Sequence, residues 1–256
     1  ENGRVLASGV ANLTGNSLDN VLYAGTGNNV LDGGAGSDTV SWQWDHGSLG
    51  GGITASLATG LVTGGSGTDT LIGIEQLIGS YGSDHLTGDS NANRLDGGWG
   101  WDTLVGGDGN DVYVVDSSWE VVVETNADPS TGGIDLVEFK AGHTDRHFTL
   151  SANVENGIVM AGYVDTSASF DLTGNSLANT LTGDDNRNVL NGLSGADTMN
   201  GGDGSDTYFV DDAADQVAES NPDPLTGGID TVNSWLSAYT LGANIENGRI
   251  LTSSGA

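Results

Sequence analysis

The chain has 256 residues, of which 43 are glycine, and its formal net charge is −29. Glycine and aspartate disfavour helix interiors and ordinary strands, which argues against a helical bundle and a doubly wound α/β enzyme. Six basic residues cannot neutralise a row of phosphates, so nucleic acid and anionic membrane are excluded as partners. The absence of cysteine excludes disulfides and thiolate metal sites. No stretch approaches the ~20 apolar residues of a membrane span.

Nonamer segments recur in one phase in three runs, 13–39, 77–112 and 172–207. The first run reads LTGNSLDNV, LYAGTGNNV and LDGGAGSDT, and eleven such nonamers occur in all. Each nonamer has an apolar residue at position one, glycine or a small polar residue at the turn, and Asp or Asn at position eight. Such regular phase indicates a repeat architecture in which each unit completes the core of its neighbours.

The runs are separated by spacers over residues 40–76, 113–171 and 208–256. In the first spacer, residues 53–57 and 60–63 are expected to form short strands. The following GGSGTDTL repeats the glycine–aspartate turn, and residues 71–76 form a shortened half-coil before the nonamers resume.

A longer repeat overlies the nonamers. The segment 113–137 recurs as 208–232, and the chain opens with ENGRVL and closes with ENGRILTSSGA. We therefore expect residues 1–256 to form a single elongated repeat domain, cut from a longer array.

A turn in every nonamer makes two nonamers one coil, so equivalent positions stack about 4.8 Å apart at a sequence separation of 18. After each position-eight residue comes a short strand, such as residues 103–105, whose central apolar side chain points inward. Stacked carboxylates repel one another and require a cation between them. Ligands that are all oxygen atoms favour Ca²⁺.

The predicted ligand pairs follow from this separation. They are Asn20 with Asp38, Asp84 with Asp102, Asn93 with Asp111, Asn179 with Asp197, and Asn188 with Asp206. Asp69 is expected to stack near Asp84 across the shortened half-coil. Asparagine supplies only a neutral oxygen, so pairs that contain it should bind more weakly, and occupancy should increase toward the aspartate end of each run.

Four segments, GGAGSDTV, GGWGWDTL, GGDGNDVY and GGDGSDTY, resemble the glycine-rich nonapeptide G-G-x-G-x-D-x-U-x of the RTX (repeats-in-toxin) family. The resemblance implies an all-β, right-handed parallel β-roll (a β-solenoid), with spacer strands that continue the roll. It also implies export from a bacterium by type I secretion and an extracellular or cell-surface location. Turn carbonyls would complete the calcium sites, namely those of Gly34, Gly36, Gly65, Gly67, Gly98, Gly100, Gly107, Gly109, Gly202 and Gly204.

Other interpretations of these residues are weaker or remain open. A single Asp-Gly turn needs no metal, and Asp135 and Asp230 could be either ligands or turn residues. No HExxH, G-x-S-x-G or P-loop motif occurs, so we expect no enzymatic activity. His143 and His147 fit a surface loop better than a metal site. Trp99 and Trp101 are expected to be exposed and to contact a glycan, a neighbouring chain or a neighbouring module.

Two functions remain compatible with the sequence. The chain could be a structural or adhesive calcium-binding module of a large secreted or surface protein. Alternatively, it could be the non-catalytic accessory module of a secreted protease, lipase or polysaccharide-modifying enzyme. The parent reading frame would discriminate, because many further repeats favour the first function and one catalytic domain favours the second.

Overall fold

The computed structural model describes residues 2–4, 10–43, 51–65, 67–140, 145–160 and 169–251. These residues form strands and turns and contain no helix, so no helix in them could span a membrane. His46 and His143 lie outside the described residues. The prediction of an all-β chain is confirmed.

The chain divides into two compact units. Unit 1 comprises Glu1–Val115 and Trp119–Asp135, and unit 2 comprises Asp116–Ser118 and Leu136–Ala256. The strands of unit 1 are β1 (Asn2–Arg4), β2 (Ala11–Thr14), β3 (Val21–Tyr23), β4 (Asn29–Asp32), β5 (Thr39–Ser41), β6 (Ile53–Ser56), β7 (Leu61–Gly64), β8 (Gly67–Ile72), β9 (Gln76–Ile78), β10 (His85–Thr87), β11 (Arg94–Asp96), β12 (Thr103–Val105), β13 (Val112–Val115) and β14 (Val121–Val123). That the whole chain forms one elongated roll stays a prediction.

The strands of unit 2 follow the same pattern of short segments. They are β15 (Leu136–Phe139), β16 (His147–Thr149), β17 (Asn156–Val159), β18 (Ser169–Thr173), β19 (Thr180–Thr182), β20 (Arg187–Asn191), β21 (Thr198–Asn200), β22 (Thr207–Val210), β23 (Gln216–Ala218), β24 (Thr231–Ser234) and β25 (Asn247–Ile250).

Strands in unit 1 alternate along the chain between two sheets, as in a parallel β-roll. One sheet has the order β1-β3-β5-β9-β11-β13, and the other has the order β14-β12-β10-β6-β7-β8-β4-β2. Within the nonamer runs the partners are parallel, and each residue pairs with the one at the same nonamer position two nonamers later; Leu86, for example, pairs with Leu104. Two nonamers therefore complete one coil, as predicted.

The first spacer breaks the all-parallel pattern. Strands β6 and β7 are antiparallel to each other, and so are β7 and β8. Both predicted strands of this spacer are present, but they form a meander inside the sheet. Two strands thus separate β8 from β10, so the prediction that Asp69 stacks near Asp84 is wrong.

Unit 2 repeats the two-sheet arrangement. Its sheets have the orders β15-β17-β19-β21-β23 and β16-β18-β20-β22-β24-β25, and neighbouring strands within them are parallel. Here, too, strands alternate between the sheets, except that β24 and β25 are consecutive in one sheet. Unit 2 is a second parallel β-roll.

The core of each unit is a ladder of apolar residues at nonamer position one or its equivalent. In unit 1 the fully buried rungs of one sheet are Val40, Leu77, Leu95 and Tyr113 in successive strands. In unit 2 one sheet stacks Leu172, Leu190, Tyr208 and Val232. Because one coil cannot bury its own apolar residue, neighbouring coils stabilise one another. This ladder places every turn directly over an equivalent turn.

Candidate metal centre

Residues at nonamer position eight form columns along the turns. In each predicted pair, the backbone N–H of the first residue donates to Oδ1 of the second, one coil later. The distances are 2.7 Å for Asn20 to Asp38, Asp84 to Asp102, Asn93 to Asp111 and Asn188 to Asp206, and 2.8 Å for Asn179 to Asp197. All ten side chains are at most 4 % exposed. The structure thus brings all five predicted pairs together in buried positions.

Ten of the eleven nonamer turns fall into two classes according to the backbone at positions four and six; in the remaining turn, 24–29, only Gly27 has positive φ. We call the turns 33–38, 97–102, 106–111, 192–197 and 201–206 open turns, because both positions have positive φ in each of them. Positive φ is the reason for glycine there, and Leu193, with φ of 61°, is the one exception. In four open turns, Oδ2 of the position-eight aspartate is buried and has no hydrogen-bond donor; these aspartates are Asp38, Asp111, Asp197 and Asp206.

The other class, which we call closed turns, comprises 15–20, 79–84, 88–93, 174–179 and 183–188. In each of them the position-four N–H donates to the side-chain oxygen of position eight, over 2.6–2.9 Å. The position-four side chain in turn accepts the N–H of position six, as in an Asx turn. A closed turn thus supplies a backbone donor to the side-chain oxygen of its own position eight.

Every predicted pair joins one closed turn to one open turn. Asp84 and Asp102 form the only one of the five pairs that has two carboxylates, yet Asp84 lies in a closed turn. Its Oδ1 accepts the N–H of Ile53 at 2.6 Å, and its Oδ2 accepts the N–H of Ser80 at 2.6 Å. Among the paired residues, a cation is therefore needed most by the open-turn aspartates.

The segment that contains Gly65 and Gly67 is not a nonapeptide turn. Gly67 begins β8, and Asp69 lies inside that strand opposite Val62. Asp69 accepts the N–H of Asn29 at 2.8 Å and the indole N–H of Trp42 at 3.3 Å. Asp69 therefore keeps the column position one coil after Asn29, but it does so from a strand of the antiparallel meander, so Gly65 and Gly67 do not flank it in a nonapeptide turn.

Burial makes the open turns electrostatically unfavourable without a cation. Two like charges one coil apart repel by roughly 3–4 kcal/mol at an effective dielectric constant of about 20. Burial, with the charges of neighbouring carboxylates, raises the pKa of Asp206 to about 8, of Asp111 to about 7 and of Asp197 to about 6. At neutral pH, Asp206 thus tends to hold a proton, and Asp111 holds one about half of the time, unless a cation takes its place.

Three acids continue the columns but were not among the predicted ligands. The N–H of Asp38 donates to Glu75 at 2.8 Å, that of Asp197 to Asp215 at 3.0 Å, and that of Asp230 to Glu246 at 2.8 Å. Asp215 could have been found, because it follows Asp197 at the regular separation of 18. The two glutamates could not, because the spacers change the length of the coil.

The columns also extend to the GGID turns, whose aspartates the sequence could not assign as either ligands or turn residues. Asp135 accepts the N–H of Asp111, and Asp230 accepts that of Asp206, both at 2.8 Å. Both residues are 1 % exposed. They thus occupy the position of an open-turn aspartate, although the sequence separation is 24 in both pairs.

His85, His147, Trp99 and Trp101 are exposed, unlike the buried residues of the columns. His85 is exposed, and exposed His147 contacts only the carboxylate of Asp145 among the ion pairs of the described residues, at 3.5 Å. Trp99 and Trp101 are 69 % and 70 % exposed. Their predicted exposure is confirmed.

Comparison with known proteins agrees with the turn geometry. A family model described as the RTX calcium-binding nonapeptide repeat (4 copies) matches residues 14–41, 78–113 and 173–208. These ranges contain all ten open and closed turns. No curated protein matches the chain significantly.

Proposed function

Because the chain belongs through its three repeat blocks to the RTX calcium-binding nonapeptide repeat family, we propose that it is a calcium-folded structural module of a large secreted or cell-surface bacterial protein. Calcium binding by the repeats is the family's property. The assignment of ions to the open turns, the secretion and the structural or adhesive role are our proposal.

The observation that supports this function is the unpartnered oxygen of the open turns. One side-chain oxygen is buried and has no hydrogen-bond donor in each of Asp38, Asp111, Asp197 and Asp206. In the closed turns, by contrast, a side-chain oxygen of position eight accepts the N–H of position four. A buried acceptor without a donor is costly, and a buried charge even more so. A hard cation removes both costs, and carboxylate and carbonyl oxygens are the ligands of Ca²⁺.

Calcium binding would then be part of folding. The ligands of one site come from different coils, so the site does not exist in the unfolded chain. Extracellular calcium modules bind at about 10⁻⁴–10⁻³ M, well above the free calcium of a cytosol. The module would stay unfolded during export, for which the RTX resemblance suggests type I secretion, and would fold outside the cell.

Circular dichroism of the full chain tests this function. With a chelator at neutral pH we expect a spectrum of unfolded chain, and added Ca²⁺ should restore the β signal cooperatively. Mg²⁺ at the same concentration is the control and should restore little, because it demands regular octahedral geometry. A β spectrum that the chelator leaves unchanged would refute the proposal.

An exposed aromatic cluster in unit 1 supports the adhesive part of the role. Tyr81 and Trp99 lie edge to face with 6.0 Å between ring centroids, and Trp101 and Trp119 lie 6.3 Å apart. Exposed aromatic rings of this kind typically form contact surfaces. Trp99→Ala with Trp101→Ala should abolish binding to a glycan array or self-association in sedimentation, with calcium-dependent folding unchanged. If the variant matches the wild type in both assays, the aromatic cluster has no adhesive role.

A further inference from the structure

The last nonamer of two runs is followed by the same group of acids. In unit 1 the group is Asp111, Glu124 and Asp135, and in unit 2 it is Asp206, Glu219 and Asp230. Within each group, one oxygen from each carboxylate lies within 4.8 Å of the others. Counterparts in the two groups occupy equivalent positions of the longer repeat, so the arrangement occurs twice.

The glutamate occupies a position that is small in the nonamers. Glu124 takes the place of Gly106 one coil later, and Glu219 takes that of Gly201, both at position three. In the eleven nonamers this position is glycine, except for Ala24. A carboxylate there faces the turn of the preceding coil.

Extra residues after the glutamate bring the third acid, Asp135 or Asp230, into the column. Asn221 is still in the regular register, because it donates to Asp203 at 2.7 Å, and Asn126 donates likewise to Asp108 at 2.8 Å. The chain is longer after this point, so Asp230 follows Asp206 at a separation of 24 instead of 18. Asp230 then accepts the N–H of Asp206 at 2.8 Å, as in an ordinary rung.

The group in unit 2 has buried oxygens without donors. Asp206 is 1 % exposed, and its Oδ2 has no hydrogen-bond donor. Oε2 of Glu219 is also buried and also has no donor. Oδ2 of Asp206 and the hydroxyl of fully buried Tyr208 both lie beside the α-carbon of Gly201. That hydroxyl accepts the N–H of Gly201 at 2.8 Å and donates to Glu219. The unpartnered Oδ2 of Asp206 thus lies beside the tyrosine hydroxyl that holds the Glu219 carboxylate, and one oxygen of each acid lies within 4.8 Å of the others.

We propose that the spacers 113–171 and 208–256 each build a second kind of calcium site, in which a glutamate and an aspartate of the spacer bind one Ca²⁺ together with the last aspartate of the preceding nonamer run. Two oxygens on opposite sides of a Ca²⁺ are about 4.8 Å apart, which fits the observed spread. Each of the three carboxylates supplies at least one oxygen toward the six to eight that Ca²⁺ takes, and backbone carbonyls and water can supply the rest. The inference rests on the proposed function for the identity of the cation.

A shared proton is the alternative to a cation. Burial and the charges of neighbouring acids raise the pKa of Asp206 to about 8 and of Glu219 to about 7, so one of them could be protonated at neutral pH. One proton would serve one oxygen, however, whereas both Asp206 and Glu219 have an oxygen without a donor. A divalent ion can bind both oxygens. It would also stabilise the coil in which the sequence separation between column residues increases from 18 to 24.

Calcium counting on the full chain tests the inference. Bound ions are measured by equilibrium dialysis for the wild type, Glu124→Gln, Glu219→Gln and the double variant. Glutamine keeps the shape and can still accept the tyrosine hydrogen bond, but it removes the charge. We expect each single variant to bind one ion fewer than the wild type and the double variant two fewer. Asp185→Asn, which removes an exposed carboxylate outside the group, should bind as many ions as the wild type.

The outcomes separate this inference from the proposed function. If the wild type binds calcium and both glutamine variants bind equally many ions with equal affinity, the spacer sites do not exist and the open-turn sites stand. If the wild type binds none, both proposals fail. Where a variant does not fold in saturating calcium, anomalous scattering from wild-type crystals soaked in Tb³⁺ decides. A peak between Asp206, Glu219 and Asp230 supports the site, and no peak there, with peaks in other turns, overturns it.

Discussion

The backbone at position four determines whether the position-eight side chain receives an N–H from its own turn. In the closed turn 183–188, Asp184 has an ordinary backbone, and its N–H reaches Asn188 at 2.9 Å. In the open turn 201–206, Gly202 has φ of 95°, and Oδ2 of Asp206 has no donor. Glycine therefore does more than permit a tight turn, because it leaves a buried carboxylate oxygen available for a cation.

Alanine at Gly202 tests the backbone requirement. Positive φ costs an L-residue about 1–2 kcal/mol, and a Cβ there would meet the carbonyl oxygen of Asp184 at 2.8 Å. We expect Gly202→Ala to lower the free energy of unfolding in saturating calcium by about 2 kcal/mol, measured by urea denaturation.

Leu193 provides the matched control, because it occupies the equivalent position in another open turn and already has φ of 61°. Leu193→Ala keeps the strain and removes a side chain that is 39 % exposed, so its cost should be below about 1 kcal/mol. Equal losses at the two positions would contradict the backbone argument.

A whole turn should be convertible from closed to open. The triple variant Asp184→Gly, Asn186→Gly and Asn188→Asp turns residues 183–188 into GGDGRD, which has glycine at both positive-φ positions and a carboxylate at position eight. We expect it to bind one more calcium ion than the wild type, counted by equilibrium dialysis.

Asn188→Asp alone is the control for that conversion. Its new carboxylate should keep the N–H of residue 184, as Asp84 keeps that of Ser80, and should bind no additional ion. If the single and triple variants bind the same number of ions, the two turn classes do not determine calcium binding.

The elements show how much the sequence could predict. The nonamer phase predicted the coil of two nonamers, the inward leucines and the five pairs, because all of these depend only on the repeat period. It could not predict the antiparallel meander of β6, β7 and β8, since two short strands that follow each other can pair in either direction. Nor did it distinguish Asp84 from Asp102. Both are aspartates at position eight, but Asp84 accepts the N–H of Ser80 in a closed turn, whereas Asp102 lies in an open turn whose glycines have positive φ.

At the scale of the whole molecule, the charge of −29 opposes any compact state. Salt screens exposed charges over about 8–10 Å, but it screens buried pairs much less. A Ca²⁺ ion bound between two coils neutralises two buried negative charges, whose mutual repulsion dissolved salt screens poorly. Sodium chloride should therefore be a poor substitute for calcium in folding the chain.

Protons should replace calcium only partly, and the sign follows from the raised pKa values. The folded pKa is about 8 for Asp206 and about 7 for Asp111, against about 3.9 for an unfolded aspartate. Without calcium, the folded chain binds more protons than the unfolded chain between about pH 4 and 8. Its stability is then largest below that window and is lost as the pH rises through it.

Bound calcium should reverse this dependence. The ion binds ionised carboxylates, so protons compete with it, and stability should increase with pH over the same window. We expect the folded fraction in a chelator, measured by circular dichroism, to fall from about pH 4 to 8, whereas the same series at a fixed, subsaturating calcium concentration should show a folded fraction that rises. Parallel pH dependences in the two series would mean that the buried carboxylates are not where calcium binds, because a cation bound elsewhere would leave the titration of Asp111 and Asp206 unchanged.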